Sequence, residues 1–496
     1  MHRSRIITFT LLIGTVALVA VPIIFFKVQD TDLENSTIVT AFNNINALPD
    51  PAQIFSTSEW YFLNHVSSAL AAYNHEEGRF NPLLADSWSI KEKGVSFHLA
   101  ETAKFNDGTP ITSKDVEYSL KRLILKKTST HFPVWDQLQG CRNLKSIHEA
   151  CAGIKILDDR TIEFKLVQNV ESFFLLMASP EGGIWHWRDI DPSSLELAPT
   201  RYSGPYAYKK NQEGLSELDK NLFSIIHKYF PNSPDRIPFY SESGDELQAV
   251  IRARKIDVFM EPVRPFFAKI YEEWGYERQL SVFSTILYLS KVGRHSKKIG
   301  QPFFKALWTK FSSDDIVAAD SVLPYGSLNA LNRSEFLAAL PERSTSEPIR
   351  VAIMTPYFRP ELKLLLEDAA QMSHTPLDVK MVDRTRWAGL HGKTDNDEEF
   401  DFVFTIYVAS ERYPSVQFRF LLDGRVPPFS IDDLDSPDYS PERKAALAKL
   451  EEWMISSQTI LPLFFTRTHI VHKPNILVGN QPISDAEIQL WRVKKR

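Results

Sequence analysis

The chain lacks the spacings that mark a metal site. Its two cysteines, Cys141 and Cys151, form no C-x-x-C pair, and the thirteen histidines are scattered without the i, i+4 pairing that would set two on one helical face. His75-Glu76-Glu77 has no second histidine and reads as a solvated loop. The acidic run Asp432, Asp433, Asp435 and Asp438 lacks the central glycine and closing glutamate of a calcium loop, so it reads as a linker. Asp314-Asp315 and Asp395 to Glu399 read as a helix-proximal pair and a charged loop. No G-x-S-x-G elbow, H-E-x-x-H helix, phosphate-binding loop or G-x-G-x-x-G stretch is present. The expectation is therefore no enzyme, no metal and no cofactor. Long basic runs are also missing, and a net charge of −5 with a pI near 6.3 argues against a nucleic-acid partner. There is no internal repeat and no low-complexity tract.

What is present points to a large exported body. At 496 residues and 43% hydrophobic the chain exceeds the size at which one core stops growing, so two or three domains are expected. Ile6 to Phe26 is an apolar run without a charge, preceded by Arg3 and Arg5, and as a helix at ~1.5 Å per residue it spans roughly 30 Å. A cleavable signal wants an A-x-A arrangement, whereas Ala20 has Leu18 before it and Pro22 after it; an uncleaved anchor is favoured. The arginines then hold the N-terminus in the cytoplasm and put Lys27 onward outside. In an oxidising compartment Cys141 and Cys151 either close a short disulfide loop or remain two small apolar residues, since spacing alone does not bring their Cβ atoms together.

The stretch from Asn81 to Arg122 is the most legible. Trp88 and Ile90 alternate with serines, Val95, Phe97 and Leu99 alternate with Ser96 and His98, and Lys91 to Gly94 supplies the turn of a half-buried hairpin. Asn106-Asp107-Gly108 turns the chain where a positive φ costs little. Thr112 with Asp115 then starts a helix carrying Val116, Leu120 and Leu123 on one side. Pro82, Leu84, Ala85, Trp88, Phe97, Leu99, Phe105, Asp107, Gly108, Pro110, Asp115, Val116, Ser119 and Arg122 together make a pattern that resembles the extracellular solute-binding proteins of family 5, the oligopeptide and dipeptide binders of ABC transporters.

The rest of the chain reads in the same terms. Thr37 to Phe42 is expected as a first strand, Glu59 to Tyr73 as a helix, and Ile154–Ile156 with Ile162–Leu166 as a second strand pair. Ser203-Gly204-Pro205-Tyr206 resembles a family turn with its first residues altered. Helices are expected over Glu246–Arg254, Pro302–Val317, Pro360–Met372 and from Ser440-Pro441 through Met454, with strands at Ile256–Phe259, Thr285–Ser290, Ile349–Ile353, Leu377–Val382, Phe400–Tyr407 and Pro462–Phe465.

The resemblance implies an α/β, two-lobed periplasmic-binding-protein type II fold of the peptide-binding class with an extra subdomain. Its divisions are a signal or membrane anchor over 1–27, a first lobe of 37–75 with 190–284 and 466–496, an inserted subdomain over 76–189 and a second lobe over 285–465. No cysteine near the apolar run accepts the lipid common in that family. The implied partners are a peptide or peptide-like solute, an ABC permease and the membrane, on the outer face of which the protein works as a monomer. A sensor or assembly subunit that keeps the fold without transport is the alternative reading.

For ligand contacts the resemblance implies Ser56, Thr57 and Ser58 in the first lobe, whose bland alternative is a helix cap before Glu59. In the second lobe it implies Tyr407, Val408, Ala409 and Ser410, ahead of Tyr413-Pro414. Ser410 occupies the position where the family's D-x-x-x-P aspartate holds a free α-amino group, so it offers a dipole without the charge. Trp387, Trp185 and Trp187 are candidate pocket walls, or ordinary core.

Overall fold

The structure is a computed structural model. It describes residues 37–496 except 43–44, 46, 55, 75–78, 92, 127–136, 168–169, 211–215, 243, 262–267, 295–296, 311–315, 324–330, 356–359, 391–395, 409–417, 419–420, 423–424, 432–433, 435–439 and 482–487. The expected membrane segment lies outside the described residues. Among those described, no helix is long and apolar enough to cross a membrane.

The chain opens with a short strand, β1 (Thr40–Ala41), and a helix, α1 (Thr57–Val66). The helix expected to run on to Tyr73 stops at Val66 and is followed by β2 (Ala71–Asn74), which pairs with β3 (Arg79–Pro82). Apolar spacing alone did not carry the stop, which is tertiary. A Cβ on Gly204 would lie 2.4 Å from the Val66 carbonyl carbon, so the Ser203-Gly204 turn is pressed against the helix end. The Ser68 amide donates to Ser203 Oγ at 3.0 Å instead of continuing the helical ladder. His65, fully buried, donates from Nδ1 to Tyr61 O at 2.7 Å and accepts at Nε2 from the Leu490 amide at 3.1 Å, tying α1 to the chain's last turn.

Next come β4 (Ala85–Lys91) and β5 (Gly94–Leu99), joined in the expected hairpin register with Trp88 opposite Phe97. Gly108 adopts φ +86°, and α2 (Ser113–Lys126) starts with Thr112 donating from its amide and its hydroxyl to Asp115 Oδ2 at 2.8 and 2.7 Å. Strands β6 (Ile154–Ile156) and β7 (Thr161–Lys165) complete a sheet of order β4-β5-β7-β6 over a core of Phe97, Phe105, Phe164 and Phe173, and α3 (Val170–Leu176) closes it. Cys141 and Cys151 are joined in a disulfide with Cα atoms 5.1 Å apart.

The chain then returns to β1 through β8 (Tyr206–Lys210), β9 (Ser216–Lys220), the short α4 (Ile226–Tyr229) and β10 (Arg236–Tyr240), giving a sheet of order β1-β10-β9-β8. Helix α5 (Gly244–Arg252), β11 (Val258–Glu261) and α6 (Ala268–Glu273) lead into the long β12 (Glu277–Lys291). Beyond it lie α7 (Gln301–Thr309), which ends well before Val317 because β13 (Ile316–Ala318) follows, then α8 (Arg333–Ala339), β14 (Ile349–Met354), α9 (Pro360–Met372), β15 (Leu377–Val382), α10 (Arg384–Ala388), β16 (Phe402–Val408) and α11 (Pro441–Ser456). The second long strand, β17 (Ile460–His472), runs back beside β12, and β18 (Ile476–Leu477) pairs with β19 (Lys494–Lys495).

These strands build one large sheet of order β11-β17-β12-β16-β14-β15, with β13 also on β17. Along β12, Leu287 and Leu289 enter one core with Phe303, Val351 and Leu366, while Ile286 and Tyr288 enter another with Leu450, Met454 and Phe465. A strand covered on both faces has no need of polar alternation, which is why this region reads as continuous apolar runs.

Candidate functional site

The polar residues of the Asn81–Arg122 pattern look at first like a reactive set, and each is occupied in holding backbone. Asp115 Oδ1 accepts from the Trp187 amide at 3.0 Å, and Ser119 Oγ accepts from the Trp185 amide at 2.9 Å. Arg122, 1% exposed, donates from both terminal nitrogens to the Asp50 carboxylate at 2.7 and 2.6 Å, and from Nε to Leu195 O at 2.8 Å. Lys126 adds a third cation contact to Asp50 at 3.1 Å. Burial alone would raise the Asp50 carboxyl, but hydrogen bonding and charge from Arg122 reverse that and hold it below the usual carboxylate range. One face of α2 is thus a clamp on Pro49-Asp50-Pro51 and on 185–195.

A candidate receptacle lies elsewhere, at the carboxyl ends of the parallel strands. From β14 the chain crosses by α9 to β15 on one side, and then by α10 to β16 on the other, with β14 parallel to both. The gap between β14 and β16 is therefore a topological switch point, the place where an open α/β sheet leaves a crevice. The two strands pair only at Val351 with Phe402 and Ala352 with Val403, and then part. Trp387, on α10, reaches into the parting and donates its indole N–H to the Phe404 carbonyl at 2.9 Å. Its ring is partly buried against Phe404, Val403 and their neighbours.

On its other side β16 pairs with β12 to its end, Tyr407 opposite Ile286 and Val408 opposite Thr285. Thr285 is opposite Thr466 of β17, and Thr466 opposite Ile316 of β13, so one row crosses four strands. Beside this row β12 carries register shifts between Leu280 and Phe283 and between Phe283 and Thr285. Thr285 and Thr466 are fully buried; the Thr285 and Thr468 hydroxyls stand 3.5 Å apart, and the Thr466 hydroxyl has no partner among the described residues. A hydroxyl left unpaired where the strands cross is costly unless water or a solute meets it. Burial pushes the partly exposed Tyr407 phenol upward, with Tyr288 nearby, so it stays a neutral donor and acceptor.

Of the residues expected to touch ligand, Trp387, Tyr407 and Val408 are brought to this crevice and the end of β16; Ala409 and Ser410 lie outside the described residues. Ser56 stands at the N-terminus of α1 as its cap. Its hydroxyl accepts from the Glu59 amide at 3.2 Å and its amide donates to Glu59 Oε2 at 2.8 Å, so a side chain already serves the anion-seeking end of that helix. Thr57 begins the helix, and Ser58 follows with a partly exposed side chain. Trp185 is 2% exposed with its ring edge-on to that of Tyr202, and Trp187 is stacked on His186 with Lys114 Nζ 3.4 Å from its centroid.

Two groups escaped the sequence reading. Asp50 had its signal in the two prolines around it. Glu451 had one too: it is a carboxylate in the apolar series Leu447, Leu450, Met454 of α11. It is fully buried with no cation against it among the described residues, accepting from Ser321 Oγ at 2.5 Å, Val322 N at 2.7 Å and Leu331 N at 3.2 Å. Burial pushes it up to about 7 against those hydrogen bonds, and Asp320 adds to the rise. Among the described residues no group of three or more His, Cys, Asp or Glu side chains is placed to hold a metal ion.

Comparison with known proteins follows the same division. Residues 79–290 match the model of the bacterial extracellular solute-binding proteins, family 5 Middle. The periplasmic oligopeptide-binding protein OppA of Salmonella typhimurium is 36% identical over 110 residues, which are 21% of this chain and 20% of that protein. The periplasmic murein peptide-binding protein MppA of Escherichia coli is 28% identical over 152 residues, 29% of this chain and 28% of that one. The chain thus aligns with only 20% to 28% of these relatives' length in sequence. In three dimensions the likeness is wider. The murein tripeptide binding protein MppA of Escherichia coli superposes with a TM-score of 0.69 over 93% of this chain and 99% of its own, at 15% identity. OppA of Haemophilus influenzae, in complex with RPPGFSPFR, gives 0.70 over 93% and 99% at 16% identity. NikA of Brucella suis, in complex with Fe(III)-EDTA, gives 0.71 over 93% and 100% at 14% identity. The fold is that of the two-domain periplasmic peptide-binding proteins, and the same fold receives quite different guests.

Proposed function

From a chain related to the family 5 extracellular solute-binding proteins, we infer the substrate-binding component of an ABC transporter, one that captures a peptide or peptide-like solute by closure of two lobes. The observation that carries this reading is the switch point between β14 and β16, in the sheet where Thr285 of β12 faces Thr466 of β17. In this reading 37–75, 190–284 and 466–496 form one lobe, 76–189 its inserted subdomain and 285–465 the other lobe. An extended solute pairs with backbone near the end of β16, Trp387 and Tyr407 flank it, and Ser56 to Ser58 approach from the first lobe. Ligand favours the closed state by touching both lobes, since only differential affinity shifts that equilibrium. No covalent chemistry is required. Ile6 to Phe26 holds the body at the outer face of the membrane, where a permease takes the solute.

Mass spectrometry of solute released from natively purified protein tests the reading. A population of co-purifying peptides supports it; no bound solute and no permease in cross-linked membranes favours the sensor reading, which the Ser410 change and the retained anchor also motivate. Ser410→Asp is expected to tighten binding of tri-alanine in calorimetry, and unchanged binding with the fold intact argues against that position as the amine site. A mature protein that starts after residue 20 on N-terminal sequencing ends the anchor.

A further inference from the structure

We propose that the face where the chain enters its folded body is a docking surface for an anionic lipid bilayer. Thr37 bridges to Arg236, whose carbonyl accepts from the Ile38 amide at 3.1 Å. The Val39 amide donates to Asp257 Oδ2 at 3.0 Å, and the same carboxylate holds Lys473 at 2.7 Å and Lys495 at 3.9 Å. Lys495 is thereby turned inward, and its strand neighbours Lys494 and Arg496 are exposed. Just before them, Arg492 lies over the Phe230 ring at 4.6 Å, which brings Lys228 and Tyr229 alongside. Tyr229 is 69% exposed and Lys228 is exposed. Among the described residues, the side chains of Lys228, Lys494 and Arg496 have no acidic partner.

The charge of this face runs against the rest of the molecule. Four of its five residues from Arg492 to Arg496 are Lys or Arg, in a chain with a net charge of −5. Free cations beside an exposed tyrosine are the composition of a bilayer interface, where the phenol sits among headgroups and the cations meet lipid phosphate. The inference rests on the anchor reading above for its tether: the residues from Lys27 to Ser36 reach at most about 35 Å when fully extended, so Thr37 cannot leave the neighbourhood of the headgroups. Docking this face gives the tethered body one orientation on the membrane.

The test uses the full chain in lipid nanodiscs of phosphatidylcholine alone or mixed with phosphatidylglycerol, read by hydrogen exchange at 228–230 and 494–496. Exchange there is expected to slow about tenfold or more on the phosphatidylglycerol discs, and to recover in high salt and in the Lys228→Glu/Lys494→Glu/Arg496→Glu variant. Equal exchange on both kinds of disc overturns the proposal and leaves the patch to an acidic protein partner. Retention on neutral discs reports the anchor separately. If the chain leaves them, co-sedimentation with phosphatidylglycerol vesicles decides the patch: salt-sensitive pelleting that the triple variant abolishes upholds it, and no pelleting sinks it.

Discussion

Two carboxylates, one half-buried and one fully buried, fix distant backbone in this protein, and they do so by opposite means. Asp50, in the first half, is held by Arg122 and Lys126, and its carboxyl lies below the ordinary range despite burial. Glu451, in the second half, fastens 321–322 and 331 with hydrogen bonds alone and is pushed up to about 7. The first contributes stability above the ordinary carboxylate range and loses it as pH falls through its lowered value. The second contributes fully below 4.5 and loses its contribution as pH rises toward 7. A paired charge makes a clamp indifferent to neutral pH; an unpaired one makes a fastening that neutral pH loosens.

Removing Arg122 should break this comparison most strongly. Arg122→Ala leaves Asp50 half-buried with Lys126 as its remaining cation and removes three charge-assisted hydrogen bonds, so it is expected to cost about 3 kcal/mol or more in urea unfolding; a loss under 1 kcal/mol would mean that the pair is dispensable. Glu451→Gln sharpens the contrast: the wild-type advantage over the variant should shrink by roughly 3 kcal/mol between pH 4.5 and 7. A difference that stays flat across that window would show Glu451 ionised throughout.

His65, in the first half, shares the sign of Asp50 and opposes that of Glu451. Burial lowers it to about 4 from 6.5, so it stabilises the fold above 6.5 and loses roughly 3 kcal/mol as pH falls to 4. His65→Gln should flatten acid unfolding over that range. The Cys141–Cys151 loop is expected to matter less, with the double serine variant losing about 2–3 kcal/mol. Trp387→Phe keeps a ring and removes the hydrogen bond to Phe404, so a stability loss of about 1 kcal/mol is expected, with weaker binding of co-purified solute. Unaltered binding would remove Trp387 from the site.

Legibility followed how local the information was. The hairpin Trp88–Phe97, the Gly108 turn, the Thr112–Asp115 start and the Pro360–Met372 helix were all written in neighbouring residues, and each stands where spacing put it. The end of α1 was not, because Gly204 and Ser203 impose it from far along the chain. Of the candidate site, Trp387 stood out as a flat apolar side chain and Tyr407 through the family resemblance, whereas the parting of β14 from β16 depends on three-dimensional order. Ser56 kept the meaning its local context gave it, a cap before Glu59.

The parting of β14 and β16 carries a further consequence. A sheet zipped along its whole length presents a closed wall. Here the Trp387 indole N–H meets the Phe404 carbonyl just past Val403, so a side chain reaches the backbone of β16 where β14 no longer pairs with it. In the proposed reading, trimming or enlarging that ring would alter which solutes fit beside β16 while the rest of the sheet keeps its pairing.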